Sequence, residues 1–231
     1  MVFLDEKIIF LLPPKCGTSS FVSLINSIPK FNSNNVLDLN QARHIRLSHT
    51  VKRHNIKNLQ DYKIYQICRH PLDRLISSFY YIKPPISRDT KNPFSIITHY
   101  GNEYKFNEFL ELILPFIISI KNHSPKSHWY LWNRTIKKDF KRIGNFFYQP
   151  QIYWNDLNTN VEYIKLEDII QDSSLLFSIL GENIPKSFPF INKNKGRNNK
   201  PKTPTLEMFT KQNLKLAYEA YEQDFKILGY N

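Results

Sequence analysis

Lys15, Cys16, Gly17, Thr18, Ser19 and Ser20 occupy adjacent positions in the stretch PPKCGTSS. A cation, a run of hydroxyls and the unpaired N–H groups of a helix start are what a phosphate or sulfate requires, since each offers an oxyanion a hydrogen or a positive charge. The nucleoside triphosphatase loop, G-x-x-x-x-G-K-S/T, carries its lysine after the second glycine. Here Lys15 precedes the lone glycine of the stretch, so that loop fails to fit at two positions. The plainer alternative is a lysine and hydroxyls capping an ordinary strand-to-helix turn.

A second set of anion-binding residue types lies in CRHPLDRLISSFYY. Arg69 supplies a planar fork of donors, and Ser77 follows about two helical turns later, so the pair could grip a separate phosphate from two sides. An ion pair of Arg69 or Arg74 with Asp73 or a neighbouring carboxylate on a solvated helix is the alternative. Cys16 and Cys68 each abut one of these stretches. Cationic surroundings could lower a thiol pKa, whereas the plainer reading is a loop filler at Cys16 and a buried strand residue at Cys68.

Elements must hold these groups in place. Residues 7–12, KIIFLL, form an apolar run closed by Pro13 and Pro14, the pattern of a short buried strand. Phe21, Leu24, Ile25 and Ile28 then recur at helical spacing, which predicts a helix from near Thr18. YKIYQIC, residues 62–68, predicts a second strand; Arg69 and His70 lead to Pro71, suited to a first helical turn, and Leu72, Leu75, Ile76 and Phe79 continue the helical period. Two such units predict an α/β fold with a central, mostly parallel sheet flanked by helices. Ligands then bind outside the carboxyl ends of the strands, with Lys15 and Arg69 on that same edge.

Elsewhere, residues 43–56 suggest a strand ending near His49 followed by a helix, and residues 105–120 a helix interrupted at Pro115. Residues 161–181 read as strand into helix. The last 25 or so residues read as one amphipathic helix. Gly181 and Gly229 read as C-terminal caps. NKNKGRNNKPKTPT is a basic loop, and without an internal repeat or linker the chain reads as a single domain, 1–231. The aromatic residues Trp129, Tyr130, Trp132, Tyr148 and Tyr153 could stack on a base or sugar, or belong to a core or its rim.

The chain has 32 Lys+Arg against 20 Asp+Glu, a net charge of +12 that favours an anionic partner or reflects a Lys-, Asn- and Ile-rich composition. With 41% hydrophobic residues it can build a core, which argues against disorder as its main state. No apolar run approaches the roughly 18 residues of a membrane span, and the first residues lack a signal-peptide pattern. The expectation is a soluble cytoplasmic chain with both cysteines as thiols.

Together the motifs carry a resemblance. PPKCGTSS resembles the 5′-phosphosulfate-binding loop of the sulfotransferases, and CRHPLDRLISSFYY resembles their 3′-phosphate-binding strand and helix, Arg-x-Pro-x-x-Arg with a later serine. YIKLEDI and AYEAYEQDFKILGY are similar to the C-terminal part of the carbohydrate branch, sulfotransferase family 2. The resemblance implies a P-loop-like sulfotransferase fold. It implies sulfuryl transfer from 3′-phosphoadenosine 5′-phosphosulfate (PAPS) to an acceptor hydroxyl on a carbohydrate, leaving the 3′,5′-bisphosphate (PAP). Lys15 would stand beside the bridging oxygen. Cys16, Gly17, Thr18, Ser19 and Ser20 would surround the 5′-phosphate, and Arg69 and Ser77 the 3′-phosphate. Arg197, with Lys193 and Lys195, would reach the 3′-phosphate from the late basic loop. His49 is the candidate base, with His44 and His54 nearby. No metal and no nucleic-acid partner are expected. A divergent P-loop nucleotide kinase and a non-catalytic basic nucleic-acid-binding protein are the competing readings.

Overall fold

All four residues of the strand Ile8–Leu11 are buried, because apolar layers cover both of its faces. Ile8 and Phe10 point into one cluster with Phe21, Leu24 and Ile25. Ile9 and Leu11 point into another with Leu47, Ile64 and Trp154. The alternation of a pleated strand thus sends successive residues to opposite layers, which is why the run reads as continuously hydrophobic. The computed structural model describes residues 1–31, 36–37, 44–82, 105–121, 147–181, 189 and 206–230. The chain divides into two compact units, Met1–His70 with Gln151–Lys193, and Pro71–Pro150 with Asn194–Asn231.

In the first unit the strands are β1 (Val2–Phe3), β2 (Ile8–Leu11), β3 (Val36–Leu37), β4 (Lys63–Cys68) and β5 (Glu162–Lys165). They form one sheet in the order β3-β1-β2-β4-β5. The three longer strands run parallel, with Leu11 opposite Gln66 and Cys68 opposite Lys165. The sequence pattern misses the antiparallel edge, where β1 pairs with both β2 and β3. A tight turn at residues 4–7, with Lys7 at φ 55°, folds the first residues back, and Met1 and Phe10 exchange backbone hydrogen bonds at 2.9 Å. Helix α1 (Thr18–Asn26) follows β2 across the proline pair, and α2 (Leu47–Arg53) precedes β4. Residues 43–56 therefore differ from expectation: His49 lies within α2, not at a strand end. Beyond β5, α5 (Leu166–Gln171) and α6 (Ser174–Leu180) follow, the second ending at Gly181 with φ 68°.

The second unit contains α3 (Pro71–Ile82), α4 (Phe106–Ile120), α7 (Lys211–Ala220) and α8 (Glu222–Leu228). Leu72, Leu75 and Phe79 of α3 pack with Leu110 and Ile113 of α4 and Phe225 of α8. Two expectations are corrected. Helix α4 runs unbroken through Pro115, which lies on its solvent face with Glu111, where water can satisfy the carbonyl that proline leaves without a donor. The C-terminal segment is two helices, because Tyr221 leaves the helical region (φ −111°, ψ 19°) and its buried hydroxyl donates to the Tyr148 carbonyl at 2.7 Å. Tyr148, like Tyr153, is a core residue, its ring tilted over Phe109 at 5.0 Å. Trp129, Tyr130 and Trp132 lie outside the described residues. Among the described residues, no helix is long and apolar enough to cross a membrane.

Candidate active site

Pro13 and Pro14 end the β2 ladder, since neither has an N–H to continue it. The chain then turns through Lys15 at φ 68° and Gly17 at φ 75°, two left-handed residues separated by Cys16, and enters α1 at Thr18. Gly17 is the N-cap and supplies no side chain to the helix start, so the first N–H groups of α1 gain no partner from its cap. A β-carbon at Gly17 would lie 2.6 Å from Leu166 Cδ1, so both the backbone angle and the packing call for glycine.

The side chains around this turn divide into those facing inward and those at its rim. Cys16 is fully buried, its thiol donating to Gln151 Oε1 at 3.0 Å and its N–H to the Pro13 carbonyl at 3.4 Å, so both of its donors face into the turn. The Thr18 hydroxyl donates to the Pro13 carbonyl at 3.3 Å, bracing the loop from within. Ser20 is buried, while Lys15 and Ser19 are half-buried. Arg69, at the end of β4, sends Nη1 to the Lys15 carbonyl at 3.4 Å. Lys15 and Arg69 therefore meet at the carboxyl edge of the parallel strands, as the strand-loop-helix pattern predicts. Next to them, Glu167 of α5 accepts from the His70 N–H at 2.9 Å, tying the end of β4 to the helix that follows β5.

The histidines separate clearly. His49 is exposed on α2. His44 donates from Nδ1 to the Leu12 carbonyl at 2.8 Å, immediately before the anion loop. A carbonyl only accepts, so Nδ1 carries a proton in this bond. Asp156 anchors α2 by accepting from the Ser48 N–H at 2.8 Å and from the Ser48 hydroxyl. Burial lowers the pKa of the nearby Arg46 guanidinium, and the Asp156 carboxylate opposes that shift.

The second phosphate motif is split between the two units. Ser77 is buried on α3 of the second unit. Arg74 is also buried there and donates from Nη1 to the Gln149 carbonyl at 2.8 Å, which places it inside the fold and not on a solvated helix face. Lys193, Lys195 and Arg197 lie outside the described residues.

A family model described as "Sulfotransferase family" matches residues 1–231, the whole chain. The chain belongs to the sulfotransferase family. Neither the curated proteins nor the solved structures contain a match. For this sulfotransferase, membership establishes sulfuryl transfer as the general reaction and a transferase as the class of enzyme. The family generally draws its sulfuryl group from PAPS.

One central residue of the sulfotransferase has no counterpart in the motif reading. Gln151 is fully buried and sits between the anion loop and the end of β4, where it bonds Cys16 and both backbone groups of Arg69. The sequence does contain a signal for it: in YQPQIYW two glutamines, Gln149 and Gln151, interrupt an aromatic and apolar run, and polar residues there must find buried partners.

Proposed function

We propose that this sulfotransferase transfers the sulfuryl group of PAPS to an acceptor hydroxyl on a carbohydrate. The observation that supports the reading is that Arg69 bonds the Lys15 carbonyl where a left-handed turn opens a helix, a kind of backbone that can gather N–H donors for an anion. The Lys15 ammonium neutralises negative charge building on the bridging oxygen as the S–O bond to the 5′-phosphate breaks. Backbone donors at Gly17 and the first turn of α1 hold that phosphate, with the Ser19 and Ser20 hydroxyls in support. Arg69 is assigned the 3′-phosphate, the group that separates this donor from ATP.

The acceptor oxygen forms the new S–O bond, its proton passes to a base, and PAP departs. His44 is taken as the base, because its ring bonds the Leu12 carbonyl at the start of the loop that carries Lys15. Loose in-line transfer of this kind asks mainly for positioning and charge stabilisation.

Thermal denaturation in the presence of PAP, adenosine 5′-phosphate (AMP) or Mg-ATP tests the donor. At about 100 times its Kd, PAP should add about 2.7 kcal/mol to the folded state, and the other two far less at equal concentration. Equal shifts for PAP and AMP, or a larger one for Mg-ATP, would remove the PAPS reading; the latter would point to phosphoryl transfer.

A further inference from the structure

We infer that Gln151 is a positioning residue that sets the distance between the 5′- and 3′-phosphate grips, an inference that rests on the PAPS reading above. Its side chain makes a three-way bridge. Oε1 accepts from the Arg69 N–H at 2.8 Å and from the Cys16 thiol at 3.0 Å, while Nε2 donates to the Arg69 carbonyl at 2.7 Å. Both backbone groups of Arg69 are thereby joined to the middle residue of the anion loop. The bridge is itself held: Gln66, buried in the centre of β4, donates from Nε2 to the Gln151 carbonyl at 3.0 Å.

The chemistry explains why a primary amide occupies this position. Arg69 presents one donor and one acceptor, and Cys16 presents a donor, so the bridging group must accept twice and donate once from a single plane. A carboxylate could accept both hydrogens but would set an oxygen against the Arg69 carbonyl. An apolar side chain would take the amide from both backbone groups of Arg69 and leave the Cys16 thiol with its longer contact to the Pro14 carbonyl at 3.7 Å, and losses in a buried place are costly.

Neither the amide nor the thiol needs to touch the nucleotide for this to matter. A bisphosphate gains over a monophosphate only when its second phosphate finds its partner already at the right distance, so the two grips act as one site through their fixed spacing. Loosening the bridge leaves each grip with its own charges and donors but removes their backbone registration, leaving only the longer bond from Arg69 Nη1 to the Lys15 carbonyl at 3.4 Å. The bisphosphate should then lose its advantage, while monophosphate binding changes little.

The ratio of AMP to PAP dissociation constants, measured by titration calorimetry on the full chain, reads this directly. Gln151→Met keeps the side-chain volume and removes the bridge; the preference for PAP should fall about tenfold or more, with AMP affinity nearly unchanged. Cys16→Ala keeps the clamp on Arg69 and releases only the loop, so it should fall between the variant and the wild type. A merely structural glutamine would lower the melting temperature and leave the ratio intact. A folded Gln151→Met protein with the wild-type ratio overturns the inference. If that variant does not fold, a wild-type ratio in Cys16→Ala overturns it. A wild-type protein that binds PAP no better than AMP would instead overturn the donor assignment, and the inference with it.

Discussion

Replacing Gly17 with alanine tests whether the anion loop is held against the helix that follows β5. Gly17 has φ 75°, where an L-residue is less stable by about 1–2 kcal/mol, partly offset by about 0.4–1 kcal/mol from the stiffer unfolded chain. The new β-carbon would also lie 2.6 Å from Leu166 Cδ1 and 3.3 Å from Cδ2. Leu166 is only 6% exposed and cannot swing into solvent, so the overpacking adds about 1–3 kcal/mol. Gly181 provides the control: its φ is 68°, but nothing lies within 4 Å of its would-be β-carbon, so Gly181→Ala carries the backbone strain alone, about 1 kcal/mol. At roughly 2–4 °C per kcal/mol, Gly17→Ala should lower the melting temperature by about 5–15 °C and Gly181→Ala by about 2–4 °C. Circular dichroism melts of both, with Leu166→Ala introduced into the wild-type and Gly17→Ala backgrounds, separate the contributions. Leu166→Ala should cost about 1–2 kcal/mol less when Gly17 is already alanine, because the clash is then gone. Equal losses for the two glycine variants, or a Leu166→Ala cost unaffected by residue 17, would show that the loop relaxes away from α5 and refute the reasoning.

Lys15→Ala should reduce kcat about 100- to 1,000-fold with little change in PAP affinity, as expected of a charge that matters most in the transition state. Arg69→Ala should instead raise the PAP Kd by about tenfold or more through loss of charged hydrogen bonds; the opposite split, read from kinetics and calorimetry, would exchange the two roles. His44→Ala should lower kcat about 100- to 10,000-fold and His49→Ala by at most a few-fold, and the reverse order would return the base to α2. Burial pushes the Tyr148 and Tyr221 hydroxyls above the ordinary tyrosine value of 10.0. The folded state then holds these protons more tightly, so their contribution is complete below pH 10 and declines as pH rises above it; chemical denaturation from pH 8 to 11 should show stability falling at the alkaline end, less steeply in Tyr221→Phe.

Much of the first unit follows from residue order alone. A continuous apolar run closed by two prolines can hardly be anything but a buried strand, and the change of period after Gly17 marks the start of a helix. Those local constraints place Lys15 and Arg69 at the ends of β2 and β4, and the parallel pairing of these strands puts them on one edge. The β1 turn was harder to read because two residues are too few to show alternation. Helix α4 passed through its proline because exposure, which no local pattern reports, makes a missing hydrogen bond tolerable there. The break at Tyr221 depends on a hydroxyl bond to Tyr148, 73 positions away.

Residue types and periods of a few residues are enough for the charge, the strand-loop-helix order and the two stretches that carry the family resemblance. Which histidine lies against the loop, where Arg74 donates, and what holds Arg69 to Cys16 were decided only by the tertiary structure. Gln151 is 135 residues from Cys16, and its amide gains meaning only when the sheet brings three partners within 3.0 Å of it. Local periodicity records which side of an element is buried; it does not record which distant polar group will be waiting there.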